Sequence, residues 1–106
     1  LLSLNTLQSL GFNMATLHLI HQNLISHPEL AQQLANALSE DDALLFIAQG
    51  LYSLAALPLS YRHPVYVLKS DVQVTGFHPA LDSIQMIDYD EFVALGVRYE
   101  RSLSWN

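Results

Sequence analysis

Apolar residues fall in short runs separated by polar breaks that carry helix-start signals, so the chain reads as strands interleaved with helices. Ala15-Thr16-Leu17-His18-Leu19-Ile20 predicts a first strand. Ser26-His27-Pro28-Glu29 has the form of a capping box, with serine at the cap, proline in the first turn and glutamate three residues on. Leu30, Leu34, Ala35 and Leu38 then recur at helical spacing, which predicts a helix over 27–38. Glu40-Asp41-Asp42 is a polar break, expected to be a solvated turn. The run Ala43-Leu44-Leu45-Phe46-Ile47-Ala48 has no polar member, as expected for a strand covered on both faces. Gln49-Gly50 turns into a short helix expected over 51–57, and 58–63 reads as a loop.

Pro64-Val65-Tyr66-Val67-Leu68 predicts the third strand. Positions 70–79 are ambiguous, because Thr75, Gly76 and Pro79 interrupt the helical spacing of Val72, Val74 and Phe77. Ile84-Gln85-Met86-Ile87 predicts a short buried fourth strand. Asp88-Tyr89-Asp90-Glu91 offers a second capping box, opening a helix from Phe92 to about Tyr99 with Gly96 as its weak point. A tail ends in Ser102-Leu103-Ser104-Trp105. The alternation predicts an α/β fold in one small domain. A mostly parallel sheet of about four strands should carry helices on both faces, joined by right-handed crossovers.

At 106 residues one domain is expected. The first thirteen residues hold no charge and place leucine at 1, 4, 7 and 10, a possible stripe on a short helix. They lack the basic start and small-residue cleavage site of a signal peptide, and they are too short to span a bilayer. The preferred reading is an extension over 1–13 outside the native domain, which then runs over 14–106 from Met14. The alternative is an apolar arm that docks on a neighbour.

Composition adds a partner to this picture. The chain is 51% hydrophobic and only 13% charged, where a soluble domain usually reaches about a quarter. A small domain this apolar tends to bury surface against another chain. Net charge is −6, with Arg62, Lys69, Arg98 and Arg101 the only basic residues, so direct grip on a phosphate backbone is not expected. No cysteine is present, which removes disulfides, thiolate metal sites and thiol nucleophiles.

Ligands of such folds bind beyond the carboxyl ends of the strands, here near Gln22, Gln49, Lys69 and Asp88. No glycine-rich phosphate loop occurs there, and Gly50 alone follows the second strand. Of the five histidines, His18 and His21 point to opposite faces if the strand continues, and His27, His63 and His78 show no chelating spacing. Histidines held by local hydrogen bonds are expected rather than a metal site. Asp88 and Glu91 read as a helix cap more than as an acid/base pair. Ser53, Ser60 and Ser70 lack the nucleophile-elbow pattern. No catalytic, cofactor or metal residue is therefore expected. Tyr89, Phe92, Tyr99 and Trp105 concentrate aromatic surface near the end of the chain. Phe92 suits a core, while Tyr89, Phe92 and Trp105 together also suit a subunit interface.

Three segments carry a family resemblance. Leu17-His18 lies close behind Met14. Leu38-Ser39-Glu40 leads through Leu44-Leu45-Phe46 to Gln49-Gly50. Ile87-Asp88-Tyr89 is followed by Phe92-Val93 and the near-terminal Trp105. In order and spacing these resemble the TusB/DsrH family of sulfur-relay subunits, within the DsrE-like superfamily of flavodoxin- or Rossmann-like layering, over 14–106. The resemblance implies a cytoplasmic, non-catalytic subunit assembled with TusC-like and TusD-like subunits in a heterohexamer. That complex relays persulfide sulfur toward thiolation of the tRNA wobble uridine, with the reactive cysteine on the TusD-like subunit. It implies contact with tRNA only through the pathway, and no membrane. DsrH-like relatives can carry a cysteine in the first helix, where this chain has Gln32 and Gln33. That favours the TusB-like branch over a DsrH-like subunit of a sulfur-oxidation complex. An independent flavodoxin-like small-ligand domain and a hydrolytic or metal-dependent enzyme remain the other readings.

Overall fold

The computed structural model describes residues 15–55, 63–76 and 83–106. The strands are β1 (Thr16–Ile20), β2 (Ala43–Phe46), β3 (Val65–Leu68), β4 (Ile84–Ile87) and β5 (Arg101–Trp105). Helices α1 (Pro28–Ala37), α2 (Lys69–Thr75) and α3 (Tyr89–Arg98) alternate with them, and a 3-10 helix over Ala48–Ala55 follows β2. The sheet order is β4-β3-β2-β1-β5, with every neighbouring pair parallel. The expected α/β architecture is present, with five strands where about four were anticipated. The added strand is the tail, which pairs in register with β1 from Thr16 opposite Arg101 to Ile20 opposite Trp105. The expected boundary at Met14, positions 58–62 of the expected loop, and His78 lie outside the described residues.

The side-chain alternation of the strands divides the core in two. On one face, Ile20, Leu44, Phe46, Val65 and Val67 meet Leu34 of α1, Leu51 and Leu54 of the 3-10 helix, and Val72 of α2. On the other, Leu17, Ala43, Leu45, Tyr66 and Ile87 meet Leu95 and Phe92 of α3, with Tyr99 just beyond it. β2 is buried at all four positions because it lies in the middle of both layers. Each leucine sealed this way contributes roughly 1.5–3 kcal/mol of transfer free energy. β4 was expected to be buried, but it is an edge strand, with Gln85 and Met86 exposed and only Ile87 fully covered.

Local signals explain most element ends. Asp88 caps α3 as expected: its Oδ1 accepts from the Glu91 amide at 2.8 Å, and Glu91 Oε1 accepts from the Asp88 amide at 3.1 Å. The expected cap at Ser26 is not formed. Pro28 takes the first helical position, so His27 stands at the cap with no side-chain bond to the helix. Ser26 and Glu29 are thus one position out of phase with a capping box. The Ser26 hydroxyl donates instead to the Asn23 carbonyl at 3.0 Å. The ambiguous stretch after β3 resolves as α2, closed by Gly76 in the left-handed region at φ 70°.

Candidate functional site

The chemistry-bearing side chains that the fold brings together lie across β1, β2 and β5. His18 sits mid-strand in β1 and is 1% exposed; Asp42, immediately before β2, is 2% exposed. Parallel pairing sets Leu17 opposite Ala43, which brings Asp42 to the side of β1. His18 Nε2 lies 2.7 Å from Asp42 Oδ2. From β5, the Trp105 indole N–H donates to His18 Nδ1 at 2.9 Å. That bond needs a lone pair on Nδ1, so the ring proton sits on Nε2 and is donated to Asp42. Asp42 is filled further: Oδ1 accepts the Thr16 amide at 2.9 Å and Oδ2 the Ser39 amide at 3.0 Å. Burial alone would push the Asp42 carboxyl up. The bonds from His18, Ser39 and Thr16 outweigh it and hold the group below the ordinary value of 3.8. His63 Nε2 donates to the Ser39 carbonyl at 2.9 Å, which extends the network to the start of β3.

A histidine held by a buried aspartate is two-thirds of a nucleophile-activating triad. Here the third partner is an indole, which only donates. The ring nitrogen that would serve as general base is already occupied by that donor. The arrangement ties the start of β2, the middle of β1 and the end of β5 together across the sheet and leaves His18 no vacancy for proton transfer from a nucleophile. Asp42 was expected in a solvated turn and instead anchors this network, whereas its neighbours Glu40 and Asp41 are exposed. The available signal was a histidine inside an apolar run, which needs a polar partner once buried.

Beyond the carboxyl ends of β1 and β2 lies a second group. Gly50 packs so tightly on β1 that a Cβ there would stand 2.0 Å from the Ile20 carbonyl oxygen. The preceding Ala48 adopts φ 52°, rare for a residue with a Cβ, and its amide donates to Asp71 Oδ2 of α2 at 2.9 Å. Ser53, fully buried, accepts the Leu24 amide at 2.8 Å and donates to the Gln22 carbonyl at 3.2 Å. These contacts join the 3-10 helix to the loop after β1 and account for Ser53 structurally. An open cleft next to them is lined by Asn23, Gln49, Tyr52, Asp71 and Thr75. Among the described residues no cluster of three or more His, Asp or Glu side chains is placed to hold a metal ion. No helix among them is long and apolar enough to cross a membrane.

The three residues expected at an interface fall in different settings. Tyr89 is 70% exposed at the start of α3 and meets Phe92 edge-on, ring centroids 6.1 Å apart. Phe92 is half-buried against the core layer beneath α3. Trp105 is half-buried on the opposite face, where it packs against the other layer and bonds to His18. Tyr89 and Phe92 therefore form one locus and Trp105 another.

The DsrH-like protein family model matches residues 26–102 of the chain. The protein called "Protein TusB" in Salmonella arizonae is 35% identical over 83 residues, which cover 68% of this chain and 83% of the relative. The proteins of the same name in Salmonella newport and Salmonella heidelberg match equally. With the fold and the His18–Asp42–Trp105 tie in place, these matches show that the chain belongs to the TusB/DsrH family.

Proposed function

We propose that this chain is a non-catalytic subunit of a sulfur-relay complex that serves thiolation of the tRNA wobble uridine. It assembles in the cytoplasm with TusC-like and TusD-like subunits in a heterohexamer. The observation that carries the reading is family membership in a chain that holds no thiol. Persulfide relay needs a thiolate, so the sulfur travels on a companion subunit and this chain contributes surface. The buried His18–Asp42 pair is committed to holding strands together. Tyr89, Phe92 and Trp105 are the interface residues of this reading, and Trp105 contributes whatever indole surface its own fold leaves free. The DsrH-like match also accommodates a subunit of a sulfur-oxidation complex. The glutamines at 32 and 33, where such relatives can carry cysteine, favour the tRNA pathway.

The direct test of the non-carrier role is intact mass after incubation with a cysteine desulfurase and cysteine. The isolated chain should gain no sulfur, while a companion subunit added to the same mixture should. A stable gain of one sulfur atom on this chain would contradict the reading.

A further inference from the structure

α3 leaves a cleft between its flank and the sheet. Glu91, Ala94 and Arg98 share one side of the helix at three- and four-residue spacing. That side overhangs β3 and β4, where Tyr66 pairs with Gln85 on the same face. Ala94 is too short to fill the gap, and an open cleft of about 200 Å³ remains, floored by Ile87. That is smaller than the sites of drug-sized ligands and suits a group of a few heavy atoms.

Two polar groups of the cleft have no task inside the fold. Tyr66 is only 7% exposed, yet its hydroxyl is neither hydrogen-bonded among the described residues nor sealed from the cleft. A buried phenol ordinarily finds a partner. Arg98 lines the cleft from the last turn of α3, and no carboxylate among the described residues pairs with it. Helical side chains lean toward the N-terminus, which carries its guanidinium back over Ala94. Glu91 stands seven residues earlier, about 10 Å along the axis. Its Oε1 is engaged at the helix cap, where it accepts the Asp88 amide. The cleft thus offers a guanidinium fork and a phenol O–H at one end, the Gln85 carboxamide beside them, and a single carboxylate at the far end. A carboxylate ligand suits the donor end, because its two oxygens match the fork and leave a lone pair for the phenol. A dianion such as phosphate would meet Glu91, and a cation would meet Arg98.

We propose that the cleft between α3 and the β3–β4 pair binds a small monocarboxylate, held by Arg98 and the Tyr66 hydroxyl with its short alkyl part on Ile87. The carboxylate belongs either to a free short-chain acid or to an acidic side chain of a companion subunit. The chemistry is the same for both, and it stands whether or not the assembly reading holds.

Sodium propionate is the probe, titrated into the full chain at constant ionic strength and followed by heteronuclear NMR. Saturable shifts should appear at the Arg98 side-chain N–H, the Gln85 carboxamide and the Ala94 amide. Half-saturation on the order of 1 mM is expected for so few atoms. Propionamide, of the same shape without the charge, should produce none, and inorganic phosphate should bind more weakly than propionate. Arg98→Gln should weaken propionate binding about tenfold or more, and Tyr66→Phe about fivefold. Without propionate, Tyr66→Phe should not lower the unfolding midpoint, because the lost hydroxyl bonds to nothing in the fold. Lys69→Gln, on the helix of the opposite layer, should bind like wild type. No saturable shift, an equal response to propionamide, or unchanged affinity in Arg98→Gln overturns the site. So does a Tyr66→Phe chain that loses stability and keeps its affinity. The chain purified with its companions separates the two sources. If that complex still responds to propionate, a free acid is the ligand. If it does not respond and Arg98→Gln weakens capture of the companions, the carboxylate is theirs. If it does not respond and Arg98→Gln captures them undiminished, the site is overturned for the assembled protein.

Discussion

At the scale of single residues, His18, Asp42 and Trp105 are coupled, so each tests the others. Asp42 holds its carboxyl below the ordinary value because it accepts from His18 and from the Ser39 and Thr16 amides. A carboxyl depressed on folding stabilises the fold above its unfolded value, and that contribution is lost as pH falls through the folded one. Asp42→Asn should therefore cost about 2 kcal/mol at neutral pH, as for a lost charge-assisted buried bond. The gap from wild type should close below about pH 4, where the unfolded carboxyl starts to take up its proton. Denaturant midpoints from pH 7 to 2.5 measure this, and a gap constant across the range would count against the network. Trp105→Phe keeps a ring but leaves His18 Nδ1 without its donor, which should cost roughly 1–2 kcal/mol. Trp105 is the one tryptophan of the chain. Calorimetry of Trp105→Phe, alone and with partners, thus separates its role in the fold from any role in assembly. None of this was legible at Asp42 itself, because an acidic run beside a polar break looks the same whether its last member faces water or a buried histidine.

At the scale of elements, what was readable followed how local the cause is. The α3 cap is written in four consecutive residues, and both of its hydrogen bonds form. β2 was legible from a run that only a doubly covered strand can bury. The Ser26 cap failed because Pro28 sets the first helical position and shifts the helix start past serine. The ambiguous stretch after β3 hid α2 because Gly76, read as an interruption, is its terminator. β5 was missed for a different reason. Arg101-Ser102-Leu103-Ser104 is exposed throughout and becomes a strand only by pairing with β1, a partner more than eighty residues away. Long-range pairing leaves no local signature in so short and polar a segment. The caps give a paired prediction by thermal or chemical unfolding. Asp88→Ala should destabilise by about 1 kcal/mol, whereas Ser26→Ala, whose hydroxyl serves only a loop carbonyl and a neighbouring histidine, should fall within about 0.5 kcal/mol of wild type. Equal losses at both positions would contradict the cap assignment.

At the scale of the whole molecule, the two faces of the sheet are covered unequally. Among the described residues, α1, α2 and the 3-10 helix shield one face, while α3 alone shields the other. Among the described residues β4 and β5 form the sheet edges with no further strand beside them, Met86 being 47% and Leu103 45% exposed. Sheet edges that carry exposed apolar residues are surfaces that proteins usually cover. They agree with a composition too poor in charge for a chain that stays alone. The central claim is that this chain acts as one subunit of a sulfur-relay assembly. Native mass spectrometry of the tagged chain, purified with its companions at endogenous levels, tests it most directly. The account predicts a complex with two further small α/β subunits, and persulfide on a companion's cysteine but never on this chain. A chain recovered by itself at its own mass, with no such subunits bound, would contradict it.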